Sequence, residues 1–141
     1  MWQIKPMTYK AIIVHSLGHA ETVLAVDDSH GGEAVLLSAP GATGFMGAGM
    51  FREIVDQAVA KYPNVPVKAI LDCGSDAGWA LNALRNGVKT IRLQGPNDVL
   101  NKVADIASQQ NANLDTGKED ALDLATVNNP DKACRIWLAK F

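Results

Sequence analysis

The residues best suited to chemistry in this sequence are a carboxylate and a thiol that stand side by side, Asp72 and Cys73. A carboxyl group at the end of a buried strand can have a raised pKa and serve as a general base. A thiol beside a helix N-terminus can have a lowered pKa and become a nucleophile. With His15 as a partner for proton transfer, the pair predicts a small lyase or isomerase whose candidate catalytic residues are His15, Asp72 and Cys73.

The same two residues also have a structural interpretation. A single cysteine at a buried strand end most often behaves as a small apolar side chain. Asp72 could simply accept a backbone N–H group at the start of the helix that follows it. An enzyme is therefore the alternative to a binding protein and not the first expectation.

Four apolar runs position these side chains, and each run leads into polar or glycine-rich residues and then into helical periodicity. The runs are residues 11–14, 34–37, 69–71 and 90–93. Strands that alternate with helices predict parallel pairing through right-handed crossovers. Because the runs are apolar without alternation, the sheet is expected to be covered on both faces.

This pattern predicts an α/β fold with four to five mostly parallel strands that alternate with helices in a three-layer sandwich. Half of a (β/α)8 barrel would show the same rhythm and is the alternative architecture. Residues 1–141 are expected to form a single domain. Its strands are expected near 9–14, 33–37, 68–71 and 89–93, with a short fifth strand at 112–114.

The core of the domain is expected at residues 8–111, followed by an extension over 112–141. Within the extension, residues 116–129 are polar and predict a loop that contains a turn at 121–124. Helical periodicity returns after Pro130 and predicts a final helix over 130–139.

Ligands of parallel α/β proteins bind at the carboxyl ends of the strands, so the residues just after the four runs form the expected site. The second run leads into residues 41–49, where four glycines precede a helix. Backbone N–H groups at a helix start attract anions. The loop matches neither the Walker A pattern nor the dinucleotide fingerprint. We therefore expect a small anionic metabolite, with candidate binding residues Ser16, Ser38, Gly41, Gly44, Gly47, Gly74, Gln94 and Gly95.

His15 and His19 stand four residues apart, a spacing that on one helix would direct both imidazoles to the same metal ion. The predicted boundaries place His15 at a strand end and His19 in the following helix. Because that placement breaks the geometry, no metal site is predicted. No motif identifies a cofactor.

The composition of the chain limits the kinds of partner that it could bind. The 141 residues carry a net charge of −2, with 48% hydrophobic and 20% charged residues, as in an ordinary globular domain. Scattered basic residues give no patch for nucleic acid, and no apolar run is long enough to span a membrane. No signal-peptide pattern opens the chain, and two cysteines are too few for a disulfide framework, so a cytoplasmic protein is expected. A homo-oligomer is the third functional alternative, since a half-barrel would leave apolar surface to cover.

Four segments, residues 14–16, 38–42, 71–74 and 83–88, together resemble a small bacterial α/β family that carries no assigned activity. The resemblance covers most of residues 9–110 and implies the fold without implying a reaction. The strand–helix rhythm is also similar to half of a phosphate-binding barrel, which is a likeness of fold and a poor guide to function.

Overall fold

Six strands and five helices alternate along the computed structural model, which describes residues 10–117 and 120–139. The strands are Ile12–Ile13 (β1), Ala34–Leu37 (β2), Val67–Asp72 (β3), Thr90–Arg92 (β4), Asn113–Asp115 (β5) and Leu122–Asp123 (β6). The helices are Leu17–His30 (α1), Ala48–Lys61 (α2), Ala77–Arg85 (α3), Asn97–Gln109 (α4) and Pro130–Leu138 (α5). Short 3-10 turns cover Ala42–Gly44 and Leu124–Thr126.

The strands form one sheet in the order β5-β4-β3-β2-β1-β6, and every neighbouring pair is parallel. The predicted α/β sandwich, with parallel strands that alternate with helices, is confirmed, although the described residues form six strands and not four or five. The fifth strand, expected at 112–114, lies at Asn113–Asp115. The expected start of the first strand at Tyr9 falls outside the described residues.

The sixth strand is the main departure from the sequence prediction, which expected a loop over 116–129 and a turn at 121–124. Strand β6 instead pairs with β1, and Leu122 N donates to Ala11 O at 3.1 Å. Two residues carry too little periodicity to signal a strand, so this element depends on its tertiary partner. Strands β5 and β6 and helix α5 thereby join the extension 112–141 to the sheet and to the helix layer.

The order of the strands reverses once. From β1 to β5 each new strand is added on the same side of the one before it, and the chain then returns to place β6 on the other side of β1. The point of reversal, called the switch point below, lies between β1 and β6. The helices that follow these two strands, α1 and α5, pack against each other on the same face of the sheet.

Local sequence explains where the helices begin and end. Ser16 Oγ accepts the backbone N–H group of His19 at 3.1 Å where α1 begins. Asp76 Oδ1 accepts that of Trp79, also at 3.1 Å, where α3 begins. Each cap satisfies a donor that has no partner within its helix and typically stabilises by about 1 kcal/mol. Helix α1 ends at Gly31, whose φ of 76° favours glycine.

The described helices cover one face of the sheet, side by side in the order α5, α1, α2, α3, α4, whereas the expected three-layer arrangement would have helices on both faces. Right-handed crossovers that all step in one direction place their helices on the same face. Beneath them Ile12 and Leu36 pack against α1, α2 and α5, whereas Leu71 and Ile91 pack against α2, α3 and α4. Burial of each such side chain stabilises the fold by roughly 1.5–3 kcal/mol.

The other face of the sheet is also apolar in its middle. Val35, Leu37 and Ile70 are buried there and pack with Ala121 of the segment that precedes β6. Successive residues of a strand point to opposite faces, so an unalternating apolar run serves both. The burial of both faces that the apolar runs predicted is therefore present in β2.

One carboxylate is buried within the helix layer. Asp27 on α1 is 3% exposed, and its Oδ2 atom has no hydrogen-bond partner among the described residues. Burial, opposed by the charge of His30, raises the pKa of Asp27 to about 6. Because this value exceeds the pKa in the unfolded chain, protonation favours folding. That contribution is complete at acid pH and is lost as the pH rises through about 6.

We expect Asp27→Asn to raise the free energy of unfolding at about pH 8 by on the order of 2 kcal/mol, because the amide resembles the protonated acid and never ionises. The difference from the wild type should shrink as the pH falls towards about 4, where Asp27 is protonated in the folded protein. Denaturant unfolding across this pH range measures the effect. Asp28→Asn, a change at the exposed neighbour, is the control. Identical pH profiles for Asp27→Asn and the wild type would contradict a buried charge.

Candidate functional site

The carboxyl edge carries a row of charged side chains on the face away from the helices. The strand register aligns Asp72 of β3 with Arg92 of β4, and Arg92 with Asp115 of β5. Arg92 is only 6% exposed, and its Nη2 and Nε atoms donate to Asp115 Oδ2 at 2.8 and 3.2 Å. A buried guanidinium requires such a carboxylate, because an uncompensated buried charge is strongly destabilising.

Asp72 serves as a structural link at this edge. Its Oδ1 atom accepts the backbone N–H groups of Gly74 at 2.7 Å and of Gly41 at 3.0 Å. Its own backbone N–H group donates to Ser38 Oγ at 2.8 Å. One side chain and one N–H group thus join the end of β3 to the loop that follows β2. Asp72 thus accepts backbone N–H groups, as its structural interpretation predicted, but these belong to the turn after β3 and to the glycine loop.

The glycine loop uses most of its backbone N–H groups within the protein. Gly41 N is bound by Asp72, as described. Gly44 N donates to Gly41 O at 3.0 Å, and Met46 N donates to Ala42 O at 2.7 Å. The loop therefore offers an anion fewer free donors than its sequence suggested.

Backbone shape and close packing explain the glycines of this loop. Gly41 and Gly47 have φ values of 66° and 84°, in the region that favours glycine. A Cβ atom on Gly44 would lie 2.3 Å from the Trp79 ring. Trp79 is 40% exposed and lies over this loop, while Phe45 at the tip is 71% exposed.

Cys73 is fully buried in the helix-side core. Thr43 Oγ1 donates to Cys73 Sγ at 3.4 Å, and the thiol points towards Leu71 O at 3.7 Å. Burial raises the pKa of the Cys73 thiol; the hydrogen bond from Thr43 opposes this effect, and nearby carboxylates add to it. A thiol that ionises less readily than a free cysteine is the opposite of an activated nucleophile.

Of the other residues predicted to contact a ligand, some hydrogen-bond to the protein backbone and some are exposed to solvent. Ser38 is fully buried, and its hydroxyl donates to Ala39 O at 3.2 Å. Gln94 is exposed, and its backbone N–H group donates to Gly74 O at 2.8 Å, which ties the turn after β3 to the end of β4. Gly95 is exposed, with open space where a side chain would stand.

His15 hydrogen-bonds to Asp123, a residue that the sequence analysis did not select, and not to Cys73. Strand β2 separates β1 from β3, so the backbones of His15 and Cys73 are roughly 10 Å apart across the sheet. His15 Nε2 lies 2.7 Å from Asp123 Oδ1, at the switch point between β1 and β6. The acid–base pair at the carboxyl edge is therefore His15 with Asp123.

The charge state of this pair follows from its surroundings. Burial disfavours the Asp123 carboxylate, but the Ala125 N–H group and the His15 imidazole donate to it, and the pKa of Asp123 lies below its ordinary value. Since an ionised carboxylate only accepts hydrogen bonds, a neutral His15 carries its hydrogen on Nε2. Its Nδ1 atom then holds the lone pair and has no hydrogen-bond partner in the described part of the chain. That atom is the candidate proton acceptor.

His19 stands beside the pair with a fixed orientation. Its Nδ1 atom accepts the backbone N–H group of His15 at 3.1 Å, and the two rings meet edge to face with centroids 5.8 Å apart. Burial lowers the pKa of His19, the charge of His15 lowers it further, and Asp123 opposes both. A neutral His19 with Nδ1 as acceptor has its hydrogen on Nε2, where it is a donor.

Backbone donors lie next to these side chains in the first turn of α1. The N–H groups of Leu17 and Gly18 find no acceptor among the described residues. Those of His19 and Ala20 are bound by Ser16. Gly18 is exposed and has no Cβ atom, so a ligand can approach the backbone there. The site combines a proton acceptor with several donors and the positive end of a 14-residue helix.

Sequence reasoning missed Asp123 because its neighbours resemble a turn as much as a strand. Leu122 and Leu124 pack into the helix-side core, and Ala121 packs on the other face. This period of two is the signal that could have identified a strand. Over so few residues it does not distinguish a strand from a loop.

In comparisons with known proteins, no protein-family model and no curated protein matches the chain. Among residues 10–117 and 120–139, no three His, Cys, Asp or Glu side chains are arranged to hold a metal ion. None of the helices described is long and apolar enough to cross a membrane. The His15–Asp123 pair and its backbone donors carry the functional argument.

We expect the folded protein to resist thiol reagents, because both cysteines are buried and burial raises the pKa of Cys73 and, to about 11, that of Cys134. Dithiobis-nitrobenzoate at about pH 8 should label neither thiol until guanidinium unfolds the chain. Cys73→Ala and Cys134→Ala assign the signals. Rapid labelling of native Cys73 would restore it as a candidate nucleophile.

Proposed function

We propose that the protein binds a small anionic metabolite at the carboxyl edge of its sheet, centred on the switch point between β1 and β6. The observation that carries the proposal is the contact of His15 with Asp123 beside the open N-terminus of α1. Ligands of parallel α/β sheets bind outside the carboxyl ends of the strands, and both residues lie at that edge. An anion there would accept hydrogen bonds from the N–H groups of Leu17 and Gly18 and from His19 Nε2.

The charges at this position suit a ligand with a single negative charge. Asp123 alone would repel an anion, but it is paired with His15. When His15 is protonated, the pair is neutral overall, and His15 Nδ1 becomes a further hydrogen-bond donor. The N-terminus of α1 adds roughly half a positive charge. The side chains of His15 and Asp123 are 31% and 33% exposed, so a ligand can reach them without rearrangement. A carboxylate fits this balance better than a polyphosphate.

A thermal-shift screen of carboxylated and phosphorylated metabolites, with inorganic phosphate as the simplest probe, tests binding. A ligand at about a hundred times its Kd should add roughly 2.7 kcal/mol of stability. In His15→Gln this gain should fall by about 1.5 kcal/mol, because a charge-assisted hydrogen bond is lost.

His30→Gln, at the opposite end of α1, is the matched control and should keep the response of the wild type. Two outcomes reject the proposal. One is a screen in which no compound stabilises the wild type. The other is an equal loss of response in both histidine variants.

An acid–base enzyme of the lyase or isomerase class is the second candidate function, and the orientation of the His15 imidazole favours it. Asp123 holds the hydrogen of neutral His15 on Nε2, which leaves Nδ1 to take a proton from a substrate. Negative charge that develops on a carbonyl oxygen would be stabilised by the N–H groups at the start of α1. Of the three predicted catalytic residues, this mechanism retains His15. Its partner is Asp123 and not Asp72 or Cys73.

Exchange of carbon-bound hydrogen in heavy water tests the enzyme directly, with proton NMR of oxo acids and hydroxy acids as the measurement. His15→Gln should abolish exchange, and Asp123→Asn should slow it by about a hundredfold or more, because the base loses its orientation. Cys73→Ala should leave the rate unchanged. Exchange that persists in both His15→Gln and Asp123→Asn would contradict the mechanism, and so would the absence of exchange in the wild type.

A cytoplasmic location and a homo-oligomer also stay predictions. Phe45 and Met50, at 71% and 57% exposure, supply apolar surface that self-association would bury. Both flank the start of α2, next to the glycine loop.

A further inference from the structure

The C-terminal helix α5 is held in place by packing on α1. Cys134 of α5 belongs to the same buried cluster as Val23 and Leu24 of α1. Leu124, in the 3-10 turn between β6 and α5, is part of that cluster as well. Because Leu124 directly follows Asp123, a change in the contact of α1 with α5 can reach the end of β6.

Asp27 places a carboxyl group within this contact. It is 3% exposed and lies one helical turn after Val23 and Leu24, on the same face of α1. Burial raises the pKa of the Cys134 thiol, and the charges of Asp131 and Asp27 raise it further, so Asp27 lies near this thiol of α5. Asp27 Oδ2 has no hydrogen-bond partner among the described residues. When ionised in place, the carboxyl group is therefore deprived of hydrogen bonds that water would give it.

Little positive charge surrounds Asp27. Among the described groups, the charge of His30 on the same helix opposes the raised pKa of Asp27. Helix α5 presents the neutral Cys134 thiol, and strand β2 is apolar throughout. From α2, the Lys61 ammonium lies 2.7 Å from Glu21, nearly two turns before Asp27 on α1. The surroundings thus favour the protonated carboxyl group while α5 stays packed.

We propose that Asp27 is the titrating group of a pH-dependent latch, in which α5 and β6 are the part that opens. With a neutral carboxyl group, α5 packs on α1 and supports Leu124, and Asp123 stays next to His15. Ionisation of Asp27 favours release of α5, because water solvates the carboxylate in the released state. Release removes packing from Leu124, and the two-residue pairing of β6 with β1 is marginal alone. The contact of His15 with Asp123 opens in the same step.

The pH range of the latch follows from the pKa of Asp27, which burial raises to about 6 in the closed state from an ordinary value of 3.8. Since the closed state binds the proton more tightly, acid pH favours the closed latch. Opening should increase as the pH rises from about 4 to about 6 and then level off, because Asp27 is ionised in both states above that range. The two pKa values correspond to an increase of about a hundredfold.

Amide hydrogen exchange of the full chain, followed by NMR from about pH 4 to about pH 8 and corrected for the intrinsic exchange rate, tests the latch. The Cys134 amide reports α5, and the Leu122 amide, which donates to Ala11 O at 3.1 Å, reports β6. Their protection should fall by about a hundredfold from the acid to the neutral end. The Cys73 amide donates to Arg92 O at 2.8 Å within the sheet and should stay better protected at every pH.

Three variants assign the effect. Asp27→Asn should keep the protection of the Cys134 and Leu122 amides near its acid value at every pH, because the side-chain amide cannot ionise. Asp28→Asn, at the exposed neighbour, is the matched control and should follow the wild type. His30→Gln should keep the pH dependence and move it to higher pH, since the charge of His30 opposes the raised pKa of Asp27.

Three outcomes overturn the proposal: protection of the two reporter amides that does not change with pH, a pH dependence that persists in Asp27→Asn, and reporter amides that exchange no faster than that of Cys73. Loss of protection at Cys134 with full protection at Leu122 would overturn the coupling to β6. The measurement needs no ligand, so its result is independent of the test of metabolite binding.

Discussion

The pairing of β6 with β1 is the contact on which the candidate site depends. It is a ladder of only two residues, which align Leu122 with Ile12 and Asp123 with Ile13. So short a pairing is marginal alone. Burial of Leu124 against α1 and α5 supports it, since this side chain is 2% exposed in the helix-side core. Through this contact the chain makes both the switch point and the His15–Asp123 pair.

The two edges of the sheet differ because every crossover helix runs in the same direction. Helix N-termini lie at the carboxyl edge, where free backbone N–H groups and the helix dipole favour an anion. Helix C-termini lie at the amino edge, where an anion needs side-chain charge instead. At that edge Arg52 donates to the carbonyl oxygen of Asn86 at the end of α3.

The glycine loop shows how a shape requirement can resemble a binding motif. Its glycines were interpreted as donors to an anion, and Asp72 as a general base. In the structure Gly41 needs a positive φ, Gly44 must accommodate Trp79, and Asp72 accepts the Gly41 and Gly74 N–H groups. A positive φ and a close packing contact can each require glycine, and the sequence does not show which of the two applies at a position.

The sequence by itself determined the α/β class, the parallel alternation and the edge at which polar residues gather. These depend on periodicity and on contacts between residues close in the chain. Only the tertiary structure decided that Cys73 is buried and that His15 meets Asp123, which is 108 positions away. Local pattern cannot encode which strand closes against β1, because that choice depends on the packing of the whole helix layer. The contact of His15 with Asp123 therefore could not be predicted from local sequence.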